Sequence, residues 1–429
     1  MQQTTYDRIG ETLYRETLDN GLSVVLLSKP GFQQTFATFT THYGSIDRTF
    51  KLQGDADFMT VPDGIAHFLE HKMFESESGD VFPEFARQGA SANAFTTFDM
   101  TTYLFSCTDN VKHNVLTLLD FVQDPYFTEQ SVEKEKGIIG QEIRMYQDNP
   151  DWRAFFGLLK AMYQVHPLRV DIAGTIDSIA KIDQDTLYAC YRTFYHPGNM
   201  VFFVVGDFDV AEMLEWIREN QASKEFGPLP VIERQFPDEP DGVNELRTIT
   251  KLSVSQPRCL VGWKDKTETV AGSDLLRREL LTGVILDAVF GRGSTFYHQL
   301  IDEELIDSQF AWEYERTPSY GYSLVGGNTK NPDLLMQRID ETLAPIVKNG
   351  LNAEDFERCR KKAIGRFMSV LDSPGYLARN YVAYDIKDAD MFKTIDLLQS
   401  LTIDEANQRM AAHFAAEQRA VSVVLPNQS

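Results

Sequence analysis

Cysteine is scarce and never clustered. The 429 residues contain four, Cys107, Cys190, Cys259 and Cys359, with no C-x-x-C pair. That excludes a disulfide scaffold and a cysteine-built zinc site, and it fits a reducing compartment, so the expected location is cytoplasmic. Long apolar runs are missing too. None approaches the roughly 20 residues that span a bilayer, so no membrane insertion is expected. The first residues, Met1 to Asp7, carry neither the basic and apolar regions of a secretion signal nor the Arg-rich character of a mitochondrial presequence. Positive charge is also short: 41 Lys and Arg stand against 63 Asp and Glu, a formal net charge of −22. Such a surface repels phosphate backbones and anionic lipid, which argues against nucleic-acid binding and leaves basic or neutral peptides as the favoured charge class. Solubility alone is the other reading of that charge.

What is present suits a packed globular protein: 43% of the residues are hydrophobic. The length exceeds one ordinary core and fits two domains of roughly 200 residues. Residues 226–243 hold Pro228, Pro230, Pro237 and Pro240 with Gly227 and Gly242. Prolines that dense block helix and central strand, so this segment is expected to be an extended linker between a domain at 1–225 and a second at 244–429. The two halves share an order of elements. Thr108-Asp109-Asn110, an apolar-periodic stretch and a charged helix from Glu129 to Tyr146 are matched by Thr329-Lys330-Asn331, a similar stretch and a charged helix from Ala353 to Met368. Each half then ends in a helix that leads into a strand, Met200 to Val205 and Ala420 to Leu425. Leu22 to Leu27 reads as a strand after the Asn20-Gly21 turn, and Thr35 to Tyr43 and Thr102 to Cys107 alternate as strands. The fold class is therefore α+β: in each half a largely antiparallel sheet covered by helices on one face.

One short segment carries chemistry. Residues 63–74 read Asp-Gly-Ile-Ala-His-Phe-Leu-Glu-His-Lys-Met-Phe. Pro62 and Asp63 suit a helix start, and Ile65, Leu69 and Met73 make one apolar face. His67 and His71 lie one turn apart on a helix, and Glu70 projects from their side. Two imidazoles at that spacing can ligate zinc with room for a third ligand and a water, and the carboxylate between them can serve as general base. A pair of surface histidines beside a solvated glutamate is the plainer alternative. The helix from Glu129 to Tyr146 offers the missing acid. Glu135 and Glu142, seven residues apart, share a face within about 20°; one can be a ligand and the other can orient a ligand. Glu133 belongs with the solvated Glu-Lys pairs.

These residues carry a resemblance. His67-Phe-Leu-Glu70-His71, Gly89-Ala-Ser-Ala-Asn93-Ala94-Phe-Thr96 followed by Thr102-Tyr103, and Glu135-Lys-Gly-Ile-Ile-Gly-Gln-Glu142 resemble the insulinase-like M16 metallopeptidases, which include the mitochondrial processing peptidase and pitrilysin. The likeness covers nearly the whole chain and is greatest for small bacterial members of the YmfH type. It implies two similar tandem α/β sandwich domains and one zinc ion per chain, held by His67, His71 and Glu142. It also implies water activation by Glu70, support of the site by Glu135, and pairing of the peptide backbone with the edge strand around Ala92, Asn93 and Ala94. The second half has no counterpart of the metal motif: its helix near Asp274 to Phe290 lacks histidine, and Arg366 or a neighbour takes the place of Glu142.

There is one departure. Active relatives carry an Arg and a Tyr, seven apart, after a glycine-rich loop. Here that loop is Gly291-Arg292-Gly293-Ser294-Thr295, and the two positions hold Ile301 and Ser308. Losing those donors removes roughly 3 kcal/mol or more of oxyanion stabilisation. The expectation is a zinc endopeptidase for peptides or short unfolded segments, working as half of a two-chain chamber. A paralogous partner chain would supply the Arg and Tyr; a homodimer, or substitution by Tyr314, Tyr320 or Tyr322, is the alternative. A non-catalytic subunit that binds a peptide or partner is the rival function. His166-Pro167 and His196-Pro197 read as structural turns.

Overall fold

Strands at the sheet margins alternate in exposure, as Arg247–Leu252 does, while central strands such as Met200–Gly206 are apolar and buried throughout. The computed structural model describes residues 1–77, 79–229, 231–266 and 270–427; Pro230, one of the linker prolines, lies outside them. Two compact units form, each from three stretches of chain. The first comprises Met1–Ile143, Asp171–Gln235 and Val370–Ile386, the second Arg144–Val170, Phe236–Ser369 and Lys387–Ser429.

The first unit holds β1 (Gln2–Tyr6), β2 (Glu11–Thr17), β3 (Ser23–Ser28), β4 (Thr35–Thr41), β5 (Ser91–Thr96), β6 (Thr101–Cys107) and β7 (Met200–Gly206), in the sheet order β1-β2-β3-β7-β4-β6-β5. Only β3 and β7 pair in parallel. Cross-strand partners Tyr103, Phe39 and Phe202 share one face. On that face Tyr103 meets Phe74, which follows helix α1 (Ile65–Met73), and Phe121 of α3 (Val111–Val122), while Phe105 meets Phe85 of α2 (Phe82–Arg87). The opposite face is not bare. Phe203 stacks on Tyr381 with ring centroids 4.7 Å apart, and Thr38 donates to the Ala378 carbonyl. Both partners sit on the helix Pro374–Asp385, which comes from far beyond the linker. The expectation of helices on one face is thus corrected. Every residue of β7 is buried, so its sequence carries no inside–outside alternation, and the second layer that covers it could not be placed from sequence.

The second unit shows the reciprocal arrangement. Its strands are β8 (Arg247–Leu252), β9 (Arg258–Lys264), β10 (Ala311–Arg316), β11 (Gly321–Asn328) and β12 (Arg419–Pro426), in the order β8-β12-β9-β11-β10, with β8 and β12 parallel. This repeats the β3-β7-β4-β6-β5 portion of the first sheet, strand for strand and direction for direction. Cys259, Val261 and Trp263 point into a core with Val284, Val289 and Phe290 of α6 (Gly272–Phe290). Helix α5 (Pro150–Met162), which precedes the linker, packs on the other face. Close approach there depends on two glycines: a Cβ on Gly157 would lie 2.5 Å from Ser422 Oγ, and one on Gly262 would lie 2.8 Å from the Leu158 side chain.

The proline-rich segment is anchored rather than loose. Ile232–Arg234 pairs with Thr49–Leu52 in the first unit, where Arg234 also bonds Asp47 at 2.8 Å. In the second unit the Glu239 side chain is 3% exposed, pairs with Lys264 at 2.5 Å and accepts the amides of Gln164, Val165 and His166. Beyond β9, Asp265 is 4% exposed. It accepts two bonds from Arg409, at 3.0 and 2.7 Å, and one from the Tyr314 hydroxyl at 2.6 Å. Burial works against its charge, but His413 and Arg409 hold its carboxyl well below the usual range. The four cysteines are unpaired and buried, and no helix among the described residues is long and apolar enough to cross a membrane.

Candidate metal centre

Helix α1 starts at a glycine that nothing else could replace. Gly64 has φ 89°, and a Cβ on it would lie 2.5 Å from the Ala173 carbonyl oxygen. Ile65, Phe68, Leu69 and Met73 bury the apolar face. His67 and His71 leave the helix on the other side, with ring centroids 4.6 Å apart. Helix α4 (Glu129–Asp148) buries Val132, Ile139 and Ile143, which turns Glu135 and Glu142 toward α1. The carboxylate of Glu142 bridges the two rings: Oε1 is 3.7 Å from His67 Nε2 and Oε2 is 3.6 Å from His71 Nε2. Glu135 stands behind. Its Oε1 accepts from His71 Nδ1 at 2.9 Å, which fixes that ring with Nε2 facing Glu142.

The donor set fits a zinc ion. One ligand atom each from His67, His71 and Glu142 lies within 4.8 Å of the others. Tetrahedral bonds of about 2.0–2.2 Å place ligands roughly 3.4 Å apart, close to the two imidazole–carboxylate separations here. Two imidazoles and one carboxylate leave a coordination position open, the pattern of catalytic rather than structural zinc. Electrostatics agree. Burial, followed by the neighbouring His71, pushes the His67 imidazole well below its usual value and keeps it neutral, as a ligand must be. Burial opposes protonation of His71 as well, yet its bond to Glu135 and the surrounding carboxylates raise it overall.

Glu70 is 8% exposed, is not one of the three clustered donors, and lies close enough for the charges of His71 and Glu142 to act on it. Burial raises its pKa, opposed by a hydrogen bond from Thr96, whose hydroxyl donates to Oε2 at 2.6 Å. Thr96 ends β5, the strand that holds Ala92, Asn93 and Ala94. It is the last strand of its sheet, bonded to β6 on one side only. Asn93 is exposed, and its Oδ1 accepts from the Ala94 amide at 2.9 Å, so that N–H faces the open edge. Ala92, Ala94 and Thr96 face the helix side with Tyr103 and Phe105, as their pairing with β6 requires.

Other candidate residues stand elsewhere. Ile301 lies on the helix Thr295–Asp302 and is 37% exposed; Ser308 is exposed in the loop that follows. Tyr314 and Tyr322 are buried and donate to Asp265 and Glu313, and Tyr320 is buried as well. None of the three presents a free hydroxyl to a surface. His166 and His196 cap short helical turns by accepting the amides of Leu168 and Gly198. Sequence reading assigned no role to Thr96, nor to the buried Tyr103–Tyr195 hydroxyl pair, which burial and the charge of Glu70 keep protonated. The alternation of β5 was the one signal that could have set Thr96 on the helix side.

Known proteins resemble this chain in sequence and fold. The family model described as Insulinase (Peptidase family M16) matches residues 60–176, which contain the whole cluster, and the Peptidase M16 inactive domain matches residues 181–363. The zinc protease YmfH of Bacillus subtilis is 46% identical over 421 residues, covering 98% of each chain. The crystal structure of an M16-like peptidase from Alicyclobacillus acidocaldarius superposes with a TM-score of 0.94 at 46% identity, over 97% of this chain and 99% of that one. A protease from Helicobacter pylori, 19% identical, shares the fold with a TM-score of 0.82 over 96% of this chain and 99% of its own.

Proposed function

The chain belongs to the M16 peptidase family, and from that premise and the geometry of its donor cluster we infer that it is a zinc-dependent endopeptidase of peptides and short unfolded segments. The observation that carries this reading is the junction of α1 and α4: His67, His71 and Glu142 converge while Glu70, one residue from a ligand, stays outside the donor set. Zinc held there, one per chain, supplies Lewis acidity at the scissile carbonyl. Glu135 keeps the His71 ring turned toward Glu142. Glu70 takes a proton from the attacking water and delivers it to the leaving amine. The open edge of β5 adds the peptide as a further strand, with the outward amide of Ala94 as a donor that Asn93 holds in the meantime. Backbone pairing of that kind gives affinity with little demand on sequence. The unpaired cysteines support a cytoplasmic setting.

Ile301 has no side-chain donor and Ser308 has only a short neutral hydroxyl in place of a phenol, while Tyr314 and Tyr322 are buried and already donate to Asp265 and Glu313. The reading therefore includes a second chain, a paralogue with Arg and Tyr at those positions, as the other half of the working enzyme. The test is purified chain, alone and mixed with such a paralogue, on a mixed peptide library, with bound zinc quantified and Glu70→Gln as control. Cleavage that needs zinc and is lost in Glu70→Gln supports the peptidase. Turnover that fails to rise on mixing removes the two-chain part. Zinc bound without cleavage in either preparation would favour a non-catalytic binding subunit.

A further inference from the structure

The proton inventory around Glu70 has one solution. Thr96, Thr101 and Glu70 form a short chain of oxygens: Thr96 Oγ1 lies 2.6 Å from Glu70 Oε2 and 3.4 Å from Thr101 Oγ1, and Thr101 Oγ1 lies 2.9 Å from the Tyr43 carbonyl oxygen. Each hydroxyl has a single proton to give. A carbonyl can only accept, so the Thr101 proton goes to Tyr43. Thr101 is then an acceptor toward Thr96, at the long end of the hydrogen-bond range. The Thr96 proton takes the 2.6 Å path to the carboxylate, a charge-assisted bond.

The rotor is held from several sides. Thr101 is completely buried, and Thr96 is its direct cross-strand partner. Threonine is also stiff at χ1, so a strand position defines where its oxygen points. The hydrogen bond from Thr96 is the one the Glu70 side chain makes among the described residues.

We propose that Thr96 is a positioning residue for Glu70: its hydroxyl occupies Oε2 throughout the reaction and leaves Oε1 alone to carry the proton. Oε1 accepts the proton as water attacks the carbonyl carbon. The same atom returns it to the nitrogen as the C–N bond breaks. Oε2 accepts from Thr96 in both states, so the carboxyl need not rotate between the two transfers. This deepens the peptidase reading and rests on it for its catalytic half. The contact itself stands on the geometry of metal-free protein.

The experiment compares Thr96→Val with Thr96→Ser. Valine keeps the branched shape and strand propensity but removes the donor; serine keeps the donor. Hydrogen bonds to charged groups are strong enough that Thr96→Val should lower kcat roughly tenfold or more. KM and bound zinc should hold, because the Thr96 amide and the three ligands are untouched, and Thr96→Ser should recover most of the rate. The second readout needs neither zinc nor turnover. In metal-free protein labelled with ¹³C at the glutamate carboxyls, the Glu70 resonance, identified by its loss in Glu70→Gln, should move in Thr96→Val and stay in Thr96→Ser. An unmoved resonance in Thr96→Val, an unchanged kcat, or an equal loss in Thr96→Ser would overturn the proposal. If the unaltered chain cleaves nothing, with or without a paralogue, the peptidase reading fails on its own account, and the carboxyl spectrum still decides whether Thr96 holds Glu70.

Discussion

Both units set two helices beside the same five-strand pattern, and the two pairs do different work. In the first unit α1 and α4 bring His67, His71, Glu135 and Glu142 together. In the second, α6 lies where α1 does in strand order and α8 (Ala353–Val370) follows α7 (Pro332–Asn349) as α4 follows α3. There the meeting of helices is an ion pair, Asp287 with Lys362 at 2.8 Å. The backbone frame is common; the sign of the charge on the second helix is not. Helix α8 carries Arg358, Arg360, Lys361, Lys362 and Arg366. Arg358, Arg360 and Lys361 pair with Asp355 and Glu357 on the same helix, so it is Lys362 that faces α6 through Asp287, and α6 has no imidazole to offer there. The second sheet instead buries its own charged cluster, Asp265 with Arg409 and Tyr314, and uses it for structure.

This contrast can be broken at either end. The largest effect belongs to Glu70→Gln, which should cut kcat by about 10²–10⁴-fold in the active preparation while zinc remains bound, as metal analysis would check. Close behind, Asp265→Ala leaves Arg409 buried without its partner, and unfolding by denaturant should show a loss of about 3–5 kcal/mol. Zinc bound per folded chain should not change. The same group sets an acid limit. Its folded pKa lies below the unfolded value of about 3.9, so its stabilisation is full above that pH and falls away as pH drops through the folded value. Thermal midpoints of Asp265→Asn should therefore depend less on pH below about 4 than those of the unaltered chain.

Smaller effects sharpen the comparison. Glu135→Gln removes the carboxylate that orients His71, and zinc affinity by competitive chelation should fall roughly 10–100-fold, with the fold intact. The smallest is Lys362→Ala. Its pair with Asp287 is half exposed, so stability should change by less than about 1 kcal/mol and zinc content not at all. A large loss there would mean that the helix meeting in the second unit matters more than its exposure suggests.

Much of the site was legible because it lies within two helices, where spacing alone fixes direction. Four residues bring His71 onto the side of His67, and seven bring Glu142 onto the side of Glu135. The α+β class and the repeated order followed from period-two and period-3.6 patterns in the same way; the strands at Thr35–Thr41 and Thr101–Cys107 fall where alternation put them, within two residues, and the strand at Ser23–Ser28 falls where the Asn20-Gly21 turn put it. The contact of Thr96 with Glu70 was hidden, since a hydroxyl at a strand end takes its meaning from whatever lies across from it.

The exchange of helices was hidden more deeply. Pro150–Met162 and Pro374–Asp385 are amphipathic helices by sequence, but nothing in a local pattern names the sheet a helix will cover. By itself the sequence determined which residues share a face and which helices could carry a metal. Tertiary structure alone decided that α5 lies on β8, β9 and β12, that Phe203 meets Tyr381, and that the Thr96 hydroxyl reaches Glu70. The reason is physical: periodicity is a property of the backbone, whereas a partner is chosen by which buried surfaces remain to be covered after the chain has closed.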